Sequence, residues 1–134
     1  MTTISAVYIS GFLTLLVALY HLRLYKIKNW KEELRDIDLQ TQKILYTINL
    51  ALTILFFIVG FLTFTYANEL NANTGLAFGF NFSLCGFWIW RVIWGKIHLR
   101  STSKNKSSII EIIKKAVGPI LIISYLIPIL KAII

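Results

Sequence analysis

Long apolar stretches separated by short polar segments make up most of this chain, and the pattern recurs four times. A helix needs ~20 mostly apolar residues to cross the hydrocarbon core of a bilayer. Each stretch reaches that length, so the pattern predicts an all-α, polytopic membrane protein: a four-transmembrane-helix bundle with short loops, forming a single membrane domain over residues 1–134. The predicted spans cover approximately residues 4–24, 43–66, 75–95 and 116–134.

The second apolar stretch carries polar and small residues along one side. These residues recur at spacings of four and three, which place them on one face of an α-helix, whereas the other faces hold Leu, Ile, Phe and Val. We interpret this second-stretch stripe as facing the bundle, where it either packs against other helices or lines a path for a polar substrate or ion. Its members are Gln42, Tyr46, Asn49, Thr53, Phe56, Gly60, Thr63 and Ala67.

The first and third stretches carry similar stripes of small residues. Small side chains let helices approach closely in a membrane, so we expect these faces to build the core of the bundle. The third stripe contains a G-x-x-x-G pair that fits contact between copies of the chain equally well. The first stripe is Gly11, Thr14, Ala18, His21 and Tyr25, and the third is Gly75, Gly79, Ser83 and Gly86.

The whole chain has a net charge of +8, and its basic residues are concentrated in two of the three connections between spans. Short loops rich in Lys and Arg stay on the cytoplasmic side of the membrane. Loops 25–42 and 96–107 are therefore predicted to be cytoplasmic. Both termini and the Asn-rich segment 67–74 then lie outside a cell (inner) membrane. Bases beside apolar segments favour contact with anionic lipid, and we expect no nucleic-acid partner.

Two short segments next to the spans have helical signals of their own. In the first connection, Trp30 precedes apolar residues that alternate with charges, which fits either a short helix on the lipid headgroups or a connector with one anchor. Before the fourth span, Ser108 and Glu111 form an S-x-x-E capping box. We therefore expect an amphipathic helix start over residues 108–115.

Aromatic and basic residues crowd the end of the third span. Trp88, Trp90 and Trp94 are predicted, with Trp30, to anchor the protein at the membrane interface. Arg91 lies about one turn inside that boundary. Snorkelling, an anionic lipid phosphate or a cation–π contact can each reduce the cost of placing its charge there, and an anionic substrate headgroup is the functional alternative.

The chain contains two histidines, His21 and His98, both predicted near the cytoplasmic ends of their spans. Two imidazoles that face each other could bind haem or form half of a metal site, although no further ligand supports this idea. The other interpretation is a polar group bonded within the bundle. The one cysteine, Cys85, cannot form an internal disulfide and is interpreted as a small packing residue.

No catalytic or cofactor-binding motif is present in the sequence, and the four predicted spans contain no Asp or Glu. An enzymatic function therefore has no support, and no cofactor is favoured. Our leading hypothesis is a noncatalytic accessory, assembly or immunity-type subunit whose partners are other membrane subunits or a second copy. The alternatives are haem or metal binding and a small transporter or channel. Its path would use Thr14, His21, Asn49, Thr53 and Thr63, with Arg91 attracting anions.

Overall fold

A computed structural model describes residues 2–98 and 109–134 of the protein. Within those two ranges the chain forms six helices, of which four are long and apolar enough to cross a membrane. This architecture confirms the predicted all-α, multi-pass membrane bundle. The helices are α1 (Thr3–Ile27), α2 (Trp30–Glu33), α3 (Leu39–Thr65), α4 (Ala67–Ala72), α5 (Leu76–His98) and α6 (Ile109–Ile133).

Short polar side chains set several of the helix boundaries. Thr2 caps α1 by accepting from the backbone N–H of Ser5, and Asp38 caps α3 by accepting from the N–H of Thr41 at 2.9 Å. Helix α4 ends at Ala72, and the next residue, Asn73, has a left-handed φ of 54°, a conformation that Asn tolerates better than most residues. Most of the Asn-rich segment 67–74 thus forms the short helix α4.

Helix α1 occupies the middle of the bundle, where it packs against α3 on one side and α6 on the other, while α5 packs against α6. Because four long helices return the chain to its starting side, both termini lie together, and Lys131 donates from Nζ to Thr3 Oγ1 at 3.4 Å. We call that side, with residues 66–75, the Asn-rich end. The opposite side, with residues 28–38 and His98, is the basic end.

Close contact between α1 and α3 depends on two glycines. A Cβ atom at Gly60 would lie 2.7 Å from Leu15 Cδ2, and one at Gly11 would lie 3.2 Å from Phe64 Cδ2. The backbones of the two helices thus approach each other closely where side chains are absent. The second-stretch stripe faces the bundle as predicted, and its buried members are Asn49, Thr53, Phe56, Gly60, Thr63 and Ala67.

The prediction that the small-residue stripe of the third span lies in the core is wrong. A Cβ atom at Gly79 or Gly86 would meet nothing within 4 Å in the described part of the chain. Helix α5 instead turns Asn81, Cys85 and Trp88 inward. These larger side chains share the opposite face of the helix, and their packing against α6 and α3 fixes its rotation. The buried Cys85 is a packing residue, as expected.

The predicted helix start at residues 108–115 is only partly covered by the described residues. Helix α6 begins at Ile109. Ser108 and the side chain of Glu111 lie outside what the structure describes, so the capping box between them stays a prediction. The same holds for the bases Arg100, Lys104 and Lys106 of loop 96–107.

Candidate functional site

His21 of α1 and Asn49 of α3 form a reciprocal pair between their helices. Asn49 Nδ2 donates to the backbone oxygen of His21 at 2.8 Å, which fixes the orientation of the amide. The amide oxygen then faces His21 Nδ1 at 3.2 Å. Because that oxygen can only accept, Nδ1 carries the proton, and Nε2 is the ring nitrogen left to accept a hydrogen bond or ligate.

Arg91 of α5 belongs to the same region of the bundle. Phe56 contacts His21 on one helix and Trp88 on another, and Arg91 follows Trp88 by three residues, so three of the predicted site residues lie in one region of the bundle. The guanidinium extends along its own helix toward the C-terminal end. Its Nη1 atom is 3.0 Å from the position that a Cβ at Gly95 would occupy. Gly95 therefore leaves room for the exposed Arg91 side chain to extend toward the basic end, which is the geometry of snorkelling.

A second polar cluster lies in the interior and joins α1, α3 and α6. The hydroxyl of Tyr125 is 3.3 Å from Thr14 Oγ1 and 3.2 Å from Thr63 Oγ1. Thr14 also bonds to the carbonyl of Ser10 at 2.7 Å, and Thr63 to that of Val59 at 2.8 Å. Sequence analysis found both threonines but missed Tyr125, the one tyrosine of the fourth span.

Thr53 is the remaining pathway candidate, and its hydroxyl is also engaged. It donates to the carbonyl of Asn49, one turn earlier in the same helix, at 2.8 Å. A cleft of about 230 Å³ lies beside these two residues, between α1 and α3 toward the basic end. Its wall is mainly apolar and aromatic; the lining residues are Leu22, Tyr25, Tyr46, Asn49, Leu50 and Thr53.

A larger opening separates α3 from α5. In the described part of the chain, these two helices meet through side chains alone, chiefly where Phe56 stacks on Trp88 with ring centroids 5.8 Å apart. The space between them, which we call the α3–α5 groove, has a volume of about 240 Å³. Its lining residues are Thr14, Leu55, Phe56, Val59, Ser83, Leu84, Phe87 and Trp88.

The predicted interface tryptophans separate into two kinds. Trp88 is only 6 % exposed and belongs to the core, so its assignment as an interface anchor is corrected. Its position shares a face with Asn81 and Cys85, whereas the next tryptophans lie on the outer side. Trp90 and Trp94 are exposed and stack with ring centroids 5.8 Å apart.

Trp30 and His98 have neighbours of different kinds at the basic end. Trp30, the N-terminal residue of the single-turn helix α2, packs its ring edge-on against Tyr46 at 5.2 Å. His98 packs on Trp94 of its own helix at 4.0 Å, while His21 packs against Phe56 at 5.3 Å. The two histidines thus have separate aromatic neighbours, and haem or metal binding by the pair stays a prediction.

A polar site that sequence analysis missed lies at the Asn-rich end. Asn81 is fully buried, and its Nδ2 donates to the carbonyl of Leu70 at 2.9 Å and to Asn73 Oδ1 at 2.8 Å. These bonds attach α4 to α5. Asn81 is the only asparagine of the third span, and that feature alone could have identified it.

No protein-family model matches this chain, and comparisons with curated proteins and with solved structures find no match. The case for its function therefore depends on its own residues.

Proposed function

We propose that the protein is a noncatalytic accessory, assembly or immunity-type subunit that acts by contact with other membrane proteins or with a second copy. The observation that supports this proposal is the use of polar groups inside the bundle. Thr14, Thr53 and Thr63 bond to backbone carbonyls of their own helices. These hydroxyls are satisfied within the protein, and those of Thr14 and Thr63 also contact Tyr125 of α6, which supports packing between helices.

The outward face of α5 supports a role in contact. Gly79, Ser83 and Gly86 are exposed on one side of this helix, and the glycines have open space around them. Small residues at the surface of a membrane helix let a second helix approach its backbone closely. In this proposal Gly79, the member of the G-x-x-x-G pair that lies on α5, is part of an interface between chains, whereas Gly75, with a φ of 52°, lies in the turn before the helix.

Cysteine crosslinking in native membranes tests this proposal. In a Cys85→Ser background, Ser83→Cys places a thiol on the outward face of α5, and Ile54→Cys places one on an exposed face of α3 as the matched control. We expect a discrete crosslinked species, to a second copy or to another subunit, for Ser83→Cys only. The proposal would be contradicted if no crosslinked species forms, if both positions crosslink equally, or if the protein shows measurable turnover.

The proximity of His21, Asn49 and Arg91 favours a second candidate, a small transporter or channel for anions. Reconstituted protein would then show flux that Asn49→Leu or Thr53→Val reduces. Thr47→Val serves as the control, because it removes a hydroxyl from the exposed side of α3, where it bonds to the carbonyl of Lys43. Silence across a broad panel of ions and metabolites would remove this candidate.

We also propose that the basic end faces the cytoplasm of a cell membrane, with both termini outside. Lys and Arg are concentrated in loops 25–42 and 96–107, and segment 67–74 contains neither. The positive-inside rule counts these bases and gives little weight to acidic residues. The four-span architecture supports the proposal, because it brings both basic connections to the same side.

A further inference from the structure

We infer that the α3–α5 groove binds an anionic phospholipid, with one acyl chain between the helices and the phosphate at Arg91. This inference does not rest on the proposed subunit function, although Ser83 lies both at the rim of the groove and on the face of α5 assigned to contact between chains. The occupant of the groove is a lipid of the bilayer.

The groove has the shape and chemistry that an acyl chain requires. Apolar side chains form nearly all of its wall, and its rims at Leu55 and Ser83 are exposed. It lies between two helices that cross the membrane, so it opens to the hydrocarbon. Phe56 bridges the two helices through its contacts with Trp88 and with Phe87 at 6.1 Å, and so forms part of the base of the groove.

Charged and polar groups lie toward one end of this apolar groove. Arg91 follows Phe87 by four residues, which places it one helical turn beyond the groove on the same face of α5. His21 contacts Phe56, which stacks on Trp88, and Trp88 precedes Arg91 by three residues on α5. An amphiphile in the groove would therefore have its polar group at Arg91 and its chain between α3 and α5.

The charge at this end calls for an anion. In the part of the chain with described side chains, the ion pair found is Arg35–Asp36 at 3.7 Å, so no described carboxylate neutralises Arg91. Its guanidinium extends toward the basic end, past the space left by Gly95. Lipid phosphates meet a membrane protein at the ends of its spans, and Arg binds phosphate with two parallel hydrogen bonds.

A soluble anion would satisfy Arg91 but leave the apolar groove uncovered. A zwitterionic lipid would fill the groove, but the cation of its own headgroup would offset its phosphate and so weaken the attraction to Arg91. An anionic phospholipid matches both parts, because its acyl chain contacts the aromatic walls while its phosphate reaches the guanidinium. The contact with the acyl chain and the contact with the phosphate can be removed separately by substitution.

Native mass spectrometry of the full chain in mild detergent tests the inference. The probes are phosphatidylglycerol and phosphatidylcholine with identical acyl chains. We expect phosphatidylglycerol to bind the protein with at least roughly tenfold higher affinity, and Arg91→Gln to remove that preference, because the choline cation of phosphatidylcholine offsets its phosphate, whereas the phosphate of phosphatidylglycerol keeps its full charge for Arg91. Arg91→Lys should retain part of the preference. Lys96→Gln removes the same charge from another face of α5 and should have no effect.

Two further arms test the groove and the source of the anion. Ser83→Phe places a large ring at the rim and should weaken both lipids, whereas Ser83→Ala should not. Inorganic phosphate should fail to displace phosphatidylglycerol at equal concentration. The inference is overturned if the two lipids bind equally, if Lys96→Gln reduces binding as much as Arg91→Gln, or if free phosphate competes as well as the lipid.

Discussion

Gly60 shows how much the contact between α1 and α3 depends on one missing side chain. In Gly60→Ala, the new Cβ would meet Leu15 Cδ2 at 2.7 Å and the Leu15 backbone nitrogen at 3.2 Å. The Leu15 side chain can move, but its backbone cannot move without separating the helices. We expect Gly60→Ala to lower the free energy of unfolding by about 1–3 kcal/mol, the usual cost of overpacking.

Thermal or denaturant unfolding of the detergent-solubilised monomer measures this change. Gly79→Ala is the matched control, because a Cβ at that position meets nothing within 4 Å in the described part of the chain. The control should be as stable as the parent protein. Equal losses in the two variants would contradict the packing described for Gly60.

Asn81 offers a residue-scale test at the Asn-rich end. In Asn81→Ala, the carbonyl of Leu70 and Asn73 Oδ1 lose the donor that now bonds to both. A buried acceptor left without a partner costs about 1–3 kcal/mol, so we expect a loss of stability of this size. Hydrogen exchange should also become faster in α4, which these bonds attach to α5.

Asn68→Ala is the control for Asn81→Ala, since Asn68 is exposed on α4. It should leave both unfolding and exchange unchanged. If Asn81→Ala behaves like this control, the bonds of Asn81 do not hold α4 in place.

Single polar residues explain which parts of the site could be predicted. Asn49 could be predicted because Thr53 and Thr63 are also polar and lie at helical spacings from it. Three polar residues on one face of a helix indicate which face turns away from lipid. Asn81 and Tyr125 have no polar neighbours at such spacings in their own spans. An isolated polar residue in an apolar run shows no periodicity, so its partners on other helices remained hidden.

At the scale of secondary-structure elements, the start of α3 depends on the ionisation of its cap. Hydrogen bonds from the Thr41 hydroxyl and then from its backbone N–H lower the pKa of the Asp38 carboxyl from its ordinary 3.8. A carboxylate whose pKa is lowered by folding stabilises the folded state at pH values above its ordinary pKa. This contribution is lost as the pH falls below 3.8 and through the lower pKa of the folded state.

Asp38→Asn isolates that contribution, because asparagine caps the helix through an oxygen that does not titrate. We expect the difference in thermal midpoint between the parent protein and Asp38→Asn to stay constant from pH 7 to about 5 and to change toward the acid side, where the parent loses stability. Other titrating groups are the same in both proteins and cancel in the difference. A difference that is independent of pH would contradict the role of Asp38.

The rotation of each helix was predictable only where lipid excludes one of its faces. On α3, amide and hydroxyl groups cannot face hydrocarbon without partners, so the polar stripe had to turn inward. On α5, Gly79 and Gly86 are compatible with lipid, with packing inside the chain and with contact between chains. Their spacing therefore indicated that they share a face of α5, but not whether this face turns into the bundle or outward. The packing of Trp88 and Cys85 in the core determines that.

For the molecule as a whole, the number of spans was the most predictable feature. Length and hydropathy must match the thickness of the bilayer, and neither depends on tertiary contacts. The arrangement of the spans does depend on such contacts. The separation of α3 from α5, which creates the groove, follows from α1 and α6 lying between them, and nothing in the apolar pattern determines that order.

The orientation of the whole molecule can be tested by labelling with a membrane-impermeant maleimide. In a Cys85→Ser background, the substitutions Lys28→Cys, Asn68→Cys and Lys104→Cys each introduce one thiol. We expect Asn68→Cys to react in intact cells, whereas Lys28→Cys and Lys104→Cys react only after permeabilisation, because bases beside the spans are retained in the cytoplasm. The reverse pattern would invert the proposed orientation, and opposite results for Lys28→Cys and Lys104→Cys would contradict the four-span topology itself.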